Sequence, residues 1–211
     1  MHELILGGQR SGKSRCAEQR VATWLALPPQ LAAAQGARWT PSRDPIPTAT
    51  PAAVERSAVL IATARPGDDE MRLRIAHHRL ERAERLPQLK CEEVPIDLPQ
   101  AIFRLSAPGR LVVIDCLTLW LTNLLMPSEG EALDELEWDM KRQALCDAIS
   151  EASGPVLLVS NEIGLGVSPM SPEARHFVDE LGRLHQAIAA RCDRVTLMVA
   201  GIEVAVRREA R

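Results

Sequence analysis

The sequence predicts an α/β fold: a P-loop NTPase-like domain with a mainly parallel central sheet and helices on both faces. Three observations predict it. Short apolar runs suited to buried strands alternate with segments of helical period along almost the whole chain. The first run, Leu4-Ile5-Leu6, opens into Gly7-Gly8-Gln9-Arg10-Ser11-Gly12-Lys13-Ser14, which is Gly-x-x-x-x-Gly-Lys-Ser ahead of a helix-forming segment. Further on, Leu111-Val112-Val113-Ile114 closes on Asp115, as a strand buried on both faces does when its end emerges where open α/β sheets bind ligands.

Taken in order, a helix should span about residues 13–25, with Cys16, Ala17, Val21, Ala22 and Leu25 at helical spacing. From about 26 to 55 the character changes. Pro28, Pro29, Pro41, Pro45, Pro47 and Pro51 alternate with Ala, Thr and Ser, and Trp39 is the one large apolar anchor. Such composition supports neither a continuous helix nor a central strand, so we read a surface insertion in a single domain spanning 1–211. Ala58-Val59-Leu60-Ile61-Ala62-Thr63 is the second strand. Pro66-Gly67-Asp68-Asp69-Glu70 starts a helix running to about Arg85, its acids at the positive end. A short strand follows at 90–94 and a helix at 98–105. After the Asp115 strand come a long amphipathic helix at 133–152 and a buried strand at 155–160. A Gly-rich loop, Gly164-Leu165-Gly166, precedes a helix at about 172–191. The last clear strand is 194–199, closed by Gly201. No internal repeat is visible.

Composition narrows the function. A net charge of −3, with two Phe, four Trp and no Tyr, argues against a nucleic-acid surface. Cys16, Cys91, Cys116, Cys146 and Cys192 include no C-x-x-C pair. The expectation is buried free thiols in a reducing cytoplasm rather than a zinc site or a disulfide framework. The N-terminus lacks the charge and apolar pattern of a signal peptide. The longest apolar stretch, about 117–126, is too short for a membrane span.

The Gly-Lys-Ser loop carries specific chemistry. Gly7 and Gly12 allow the backbone to wrap a phosphate chain, and N–H groups with the following helix end attract it. Lys13 would reach the outer phosphates, and the Ser14 hydroxyl would help hold Mg²⁺. Asp115 reads as a second Mg²⁺ ligand or as an N-cap for a helix starting near Cys116, and the upstream loop favours the metal role. His77 and His78 adjoin on a helix beside Arg72, Arg74 and Arg79. Neighbouring helical residues point about 100° apart, so the two rings cannot share one site. One could serve as a nucleophile toward phosphorus among those guanidiniums, although periodicity alone favours surface or packing roles.

Beyond the loop, Ala17-Glu18, Ile61-Ala62-Thr63-Ala64, Asp69-Glu70-Met71, Arg74-Ile75-x-His77-His78 and Glu93-x-Pro95-x-Asp97-Leu98 recur in order. Asp115-Cys116-Leu117-Thr118-Leu119-Trp120-Leu121-Thr122-Asn123, Ser160-Asn161-Glu162-Ile163-Gly164-Leu165-Gly166 and Asp179-Glu180-Leu181-Gly182-Arg183-Leu184 follow. Together with the loop these resemble the bifunctional adenosylcobinamide kinase / adenosylcobinamide-phosphate guanylyltransferase family over nearly the whole chain apart from 26–55. The resemblance implies two reactions. Adenosylcobinamide is phosphorylated with ATP or GTP. GMP then passes from GTP to that phosphate through a guanylyl-histidine, giving adenosylcobinamide-GDP and pyrophosphate.

It assigns the nucleophile to His77, with Lys13 as a catalytic partner. Nucleotide contacts fall on Gly7, Gly8, Gln9, Arg10, Ser11, Gly12, Lys13 and Ser14, on Ile61, Ala62 and Thr63, on His78, Arg79, Leu80 and Glu81, and on Glu93 and Asp115. Glu93 would read the guanine N–H groups. Glu162 would orient a hydroxyl or the metal, or simply cap its loop. The resemblance also implies a cytoplasmic homotrimer with the nucleophile helix near a subunit boundary. The 26–55 insertion, Leu89 in place of a common Trp and Cys91 in place of a common Thr depart from the family pattern. The alternatives are a P-loop module that switches or recruits partners without corrinoid chemistry, and a plain kinase that lacks guanylyl transfer.

Overall fold

Apolar runs that fill both faces of a strand force a sheet covered on both sides. The computed structural model, which describes residues 1–26, 55–67 and 69–208 apart from the side chains of Glu70, Met71, Arg74 and His78, has this arrangement. Its strands are β1 (His2–Gly7), β2 (Ser57–Ala62), β3 (Lys90–Glu93), β4 (Arg110–Asp115), β5 (Val156–Asn161), β6 (Arg194–Val199) and β7 (Ile202–Arg207). Its helices are α1 (Lys13–Ala26), α2 (Asp69–Arg85), α3 (Leu98–Leu105), α4 (Leu117–Leu125), α5 (Glu135–Glu151) and α6 (Pro172–Ala189). The described strands form one sheet in the order β3-β2-β4-β5-β1-β6-β7. β1 to β6 run parallel, and only β7 is antiparallel, to β6. The expected insertion lies, but for its end residues, outside the described residues.

Alternate residues of each strand enter opposite cores. Leu4, Ile61, Val112, Ile114 and Leu158 pack with α3, α4, α5 and α6, through Leu98, Ile102, Trp120, Leu121, Trp138, Leu145, Leu184 and Ile188. Ile5, Leu60, Leu111, Val113 and Val159 pack on the other face with Cys16, Ala17 and Val21 of α1 and with Leu86. Each large aliphatic side chain so buried contributes about 1.5–3 kcal/mol. Trp120 and Trp138 stack tilted at 5.7 Å. Both indole N–H groups are satisfied, by the Ile96 carbonyl at 2.8 Å and the Glu180 carboxylate at 2.7 Å. Asp134 and Glu137 form a capping box at the start of α5, and Ser171 caps α6 ahead of Pro172.

Three elements differ from the sequence reading. The chain continues past Gly201 into β7, through a two-residue turn with Ala200 at φ 52° and Gly201 at φ 80°. Positive φ at both centres is the hairpin turn that matches strand twist. Ala-Gly lacks the Asn or Asp that advertises it, and β7 is exposed throughout, so no buried run marked it. α2 begins at Asp69, within the Pro66–Glu70 stretch that signals its start but past the proline itself. The apolar stretch after Asp115 is the short helix α4, buried through Leu117, Trp120, Leu121 and Leu124.

Candidate active site

Parallel strands end on one side, and their last residues meet there. β1 lies between β5 and β6 and finishes at Gly7, from which residues 8–12 turn into α1. Gly7 has φ +155°, and a Cβ on it would stand 2.6 Å from both the Met198 carbonyl oxygen and Ser11 Oγ. Only glycine fits that position. Gly12 has φ +100° and Arg10 φ 56°, so the loop reverses sharply between them. Its base is fastened from both neighbours: the Glu162 N–H donates to the Gly7 carbonyl at 3.0 Å, and the Gly201 N–H donates to the Ser11 carbonyl at 3.0 Å. The unpredicted β6–β7 hairpin therefore props the loop.

Lys13 is almost fully buried, and its Nζ donates to the Gly8 carbonyl at 2.7 Å. Burial lowers its pKa, against the opposing pull of Cys116 and Asp115. Ser14 Oγ lies 3.4 Å from Asp115 Oδ2 and donates to it. Asp115 is not an N-cap: α4 starts at Leu117 with Cys116 in the cap position and no side-chain cap. A hydroxyl and a carboxylate side by side at the end of the loop are a donor set suited to a hard divalent cation beside phosphate oxygens. Among the described residues no group of three or more His, Cys, Asp or Glu is placed to hold a metal. Thr63 Oγ1 donates to the Cys116 carbonyl at 2.7 Å and accepts from the Cys116 N–H at 2.9 Å, which fixes the backbone next to Asp115.

A cleft of about 1070 Å³ opens above these strand ends. Glu93, Ala62, Asp115 and Asn161, the last residues of β3, β2, β4 and β5, line it in sheet order, and residues 9–15 complete the row. α2 forms the opposite wall through His77, Arg79, Glu81, Arg82 and Arg85. His77 is exposed, with Nδ1 3.7 Å from Glu81 Oε2 one turn on. Arg79 is ion-paired with Glu93, and Arg85 with Glu18 at 3.1 Å and Glu81 at 3.3 Å. Six cationic side chains (Arg10, Lys13, Arg15, Arg79, Arg82, Arg85) face three carboxylates, so the cleft favours polyanions.

Of the predicted residues, Gln9, Arg10, Ser11, Gly12, Lys13, Ser14, Ala62, His77, Arg79, Glu81, Glu93 and Asp115 share this cleft. Gly7 and Gly8 shape the loop without lining it. Ile61 is fully buried in the core, Thr63 is buried on the Cys116 backbone, and Leu80 points to solvent. The side chain of His78 lies outside those described. Glu162 also stays off the cleft. Its Oε1 accepts from the Gly164 N–H at 2.7 Å, the loop-capping role, and its Oε2 is 3.6 Å from His185 Nδ1. The sequence reading missed Arg15, Arg82, Arg85 and Asn161. Asn161 could have been found from its place at a strand end.

Comparison with known proteins adds the chemistry. Residues 48–206 match the family model described as cobinamide kinase / cobinamide phosphate guanyltransferase. A protein of Pseudomonas aeruginosa named bifunctional adenosylcobalamin biosynthesis protein CobP is 41% identical over 209 residues, covering 99% of each chain. The protein of Escherichia coli named bifunctional adenosylcobalamin biosynthesis protein CobU is 33% identical over 214 residues, covering 97% of this chain and 98% of its own. Its namesake in Salmonella typhimurium is 33% identical over 213 residues, with the same coverage. Among solved structures, the flagellar accessory protein FlaH of Methanocaldococcus jannaschii matches with TM-score 0.47 and 10% identity, over 99% of this chain and 78% of that one. That likeness carries no weight for the chemistry.

Proposed function

The chain belongs to the cobinamide kinase / cobinamide phosphate guanyltransferase family, and from that premise we propose that it performs both reactions in the cleft between the phosphate-binding loop and α2. In the kinase step the aminopropanol hydroxyl of adenosylcobinamide attacks the γ-phosphorus of ATP or GTP. An O–P bond forms, the bond to the β-phosphate oxygen breaks, and the hydroxyl proton is released with the nucleoside diphosphate. In the second reaction a neutral nitrogen of His77 attacks the α-phosphorus of GTP. An N–P bond forms and pyrophosphate leaves. An oxygen of adenosylcobinamide phosphate then attacks that phosphorus, the N–P bond breaks, and adenosylcobinamide-GDP is released with His77 restored.

The single observation that carries this reading is that His77 lines the same cleft as Lys13, Ser14 and Asp115. Lys13 and the loop N–H groups would grip the triphosphate. Arg79, Arg82 and Arg85 stand on the nucleophile's helix, where they would neutralise charge on the transferring group. Ser14 and Asp115 would hold Mg²⁺, whose charge neutralises phosphate oxygens when it is bound. Glu93, held by Arg79, would present its carboxylate to the guanine N–H groups. The reading includes one domain, with 26–55 an insertion, and a cytoplasmic homotrimer with α2 near a subunit boundary. The exposure of Leu73 and Leu80 on α2 supports that boundary.

The test is covalent labelling. Incubation with α-labelled GTP should leave label on the protein that is stable to alkali and labile to acid, and His77→Ala should remove it. Label persisting on His77→Ala would overturn the assignment.

A further inference from the structure

The six cationic side chains of the cleft suit phosphates, and the body of a corrinoid, a conjugated ring edged with methyl groups and amide arms, needs a surface beyond them. Besides Leu73 and Leu80 on α2, an exposed apolar segment lies on the β5 side. Straight after Asn161, the loop 162–170 exposes Leu165, Val167 and Met170 at 81%, 97% and 94%, with Ile163 at 40%. Soluble proteins rarely gather so many exposed apolar side chains in so short a segment without a partner for them.

The loop is braced rather than loose. Glu162 Oε1 accepts from the Gly164 N–H, and its other oxygen faces His185 on α6. His185 Nε2 is 2.8 Å from Ser160 Oγ, which lies 3.1 Å from Thr118 Oγ1 on α4. At the far end the Arg175 guanidinium donates to the carbonyls of Pro169 and Met170 at 3.0 and 2.6 Å. The near end is tied to the buried His185 and Ser160 and the far end to the start of α6, while the apolar side chains face out. The loop also adjoins the reaction centre, because Asn161 lines the cleft and the Glu162 N–H donates to the carbonyl of Gly7.

We propose that Leu165, Val167 and Met170 form the docking surface for the apolar face of the corrinoid acceptor, holding its hydroxyl or phosphate arm over the strand ends. This rests on the function proposed above. An acceptor whose reacting arm enters the cleft must leave its bulk over the rim, and this loop is the apolar segment that directly follows Asn161, a strand end lining the cleft.

The experiment compares the full-length parent with Leu165→Ser/Val167→Ser, measuring KM for adenosylcobinamide in the kinase assay. His77 labelling by GTP without acceptor and sedimentation velocity accompany it. The expected result is a KM for adenosylcobinamide raised at least about tenfold, with acceptor-free labelling unchanged. Leu165→Met/Val167→Ile should keep the parent KM. An unchanged KM in the Ser variant overturns the proposal while leaving the proposed function standing. An unchanged KM with an altered sedimentation coefficient overturns it in favour of a second copy of the chain on this surface. A parent that labels at His77 but never turns over adenosylcobinamide overturns the acceptor assignment, and this surface with it.

Discussion

Gly7→Ala and Gly8→Ala make a matched pair that tests whether the loop is shaped by the sheet beneath it. At Gly7 the backbone sits at φ +155°, a region costing a side-chain-bearing residue about 1–3 kcal/mol. The new Cβ would lie 2.6 Å from the Met198 carbonyl oxygen. That oxygen is on β6, whose residue Met198 is in register with Gly7 in the β1–β6 ladder, so it cannot retreat alone. Overpacking of this kind adds about 1–3 kcal/mol. The sum is about 2–6 kcal/mol, and even its low end lowers Tm by about 4–8 °C in a chain of this length. At Gly8 nothing stands within 4 Å of an added Cβ, so the effect should stay within about 0.5 kcal/mol. Urea titration followed by circular dichroism gives both values, and calorimetric titration with GTP reads the binding loss expected of Gly7→Ala alone. A Gly7→Ala protein as stable as the parent, or a Gly8→Ala protein equally damaged, would refute the reasoning.

Two further outcomes follow from buried hydrogen bonds. Thr63→Val keeps shape but leaves the Cys116 N–H without its acceptor, so stability should fall by about 1–3 kcal/mol, and kinase kcat should fall with it because Asp115 is the adjoining residue. Denaturation at full stability with a normal kcat would count against that role. For His185, burial holds the pKa below its ordinary value more strongly than Glu162 raises it. The unfolded chain therefore takes up this proton first as pH falls, so the stability it contributes is complete above about pH 6.5 and is lost below it. His185→Gln should flatten the decline in urea midpoint between about pH 7.5 and 5, and parallel parent and variant curves would refute the assignment.

How much of this could be read beforehand depends on what kind of force sets each element. The parallel strands were legible because burial on both faces writes a continuous apolar run, as in Leu111-Val112-Val113-Ile114. β7 was not, because its six residues are all exposed and it is held by its backbone ladder to β6 across one tight turn and by ion pairing of Glu203 with Arg20. The start of α2 was legible as the stretch Pro66–Glu70 and no more finely. Proline followed by acids signals a helix start, but the signal does not say which residue after Pro66 closes the first turn.

The site divides along the same line. The turn at Gly7 and Gly12 and the strand-end place of Asp115 were legible because the motifs that name them are themselves statements about backbone shape and strand ends. Ile61 and Thr63 were expected at the nucleotide by resemblance. Strand alternation instead turns Ile61 into the core beside α4, and Thr63, just past the end of β2, spends its hydroxyl on Cys116. Arg82 and Arg85 look from sequence like ordinary solvated charges on a polar helix. Their place in the cleft depends on tertiary geometry: β5 and β4 lie between β1 and β2, so the cleft must cross four strand ends before it meets the helix that follows β2. That crossing is also why Asn161 was within reach of sequence reasoning. Once the strands are recognised as parallel, the last residue of each belongs to the ligand edge, and applying that rule to every strand rather than to the Asp115 strand alone comes within one residue of each member of the row Glu93, Ala62, Asp115, Asn161.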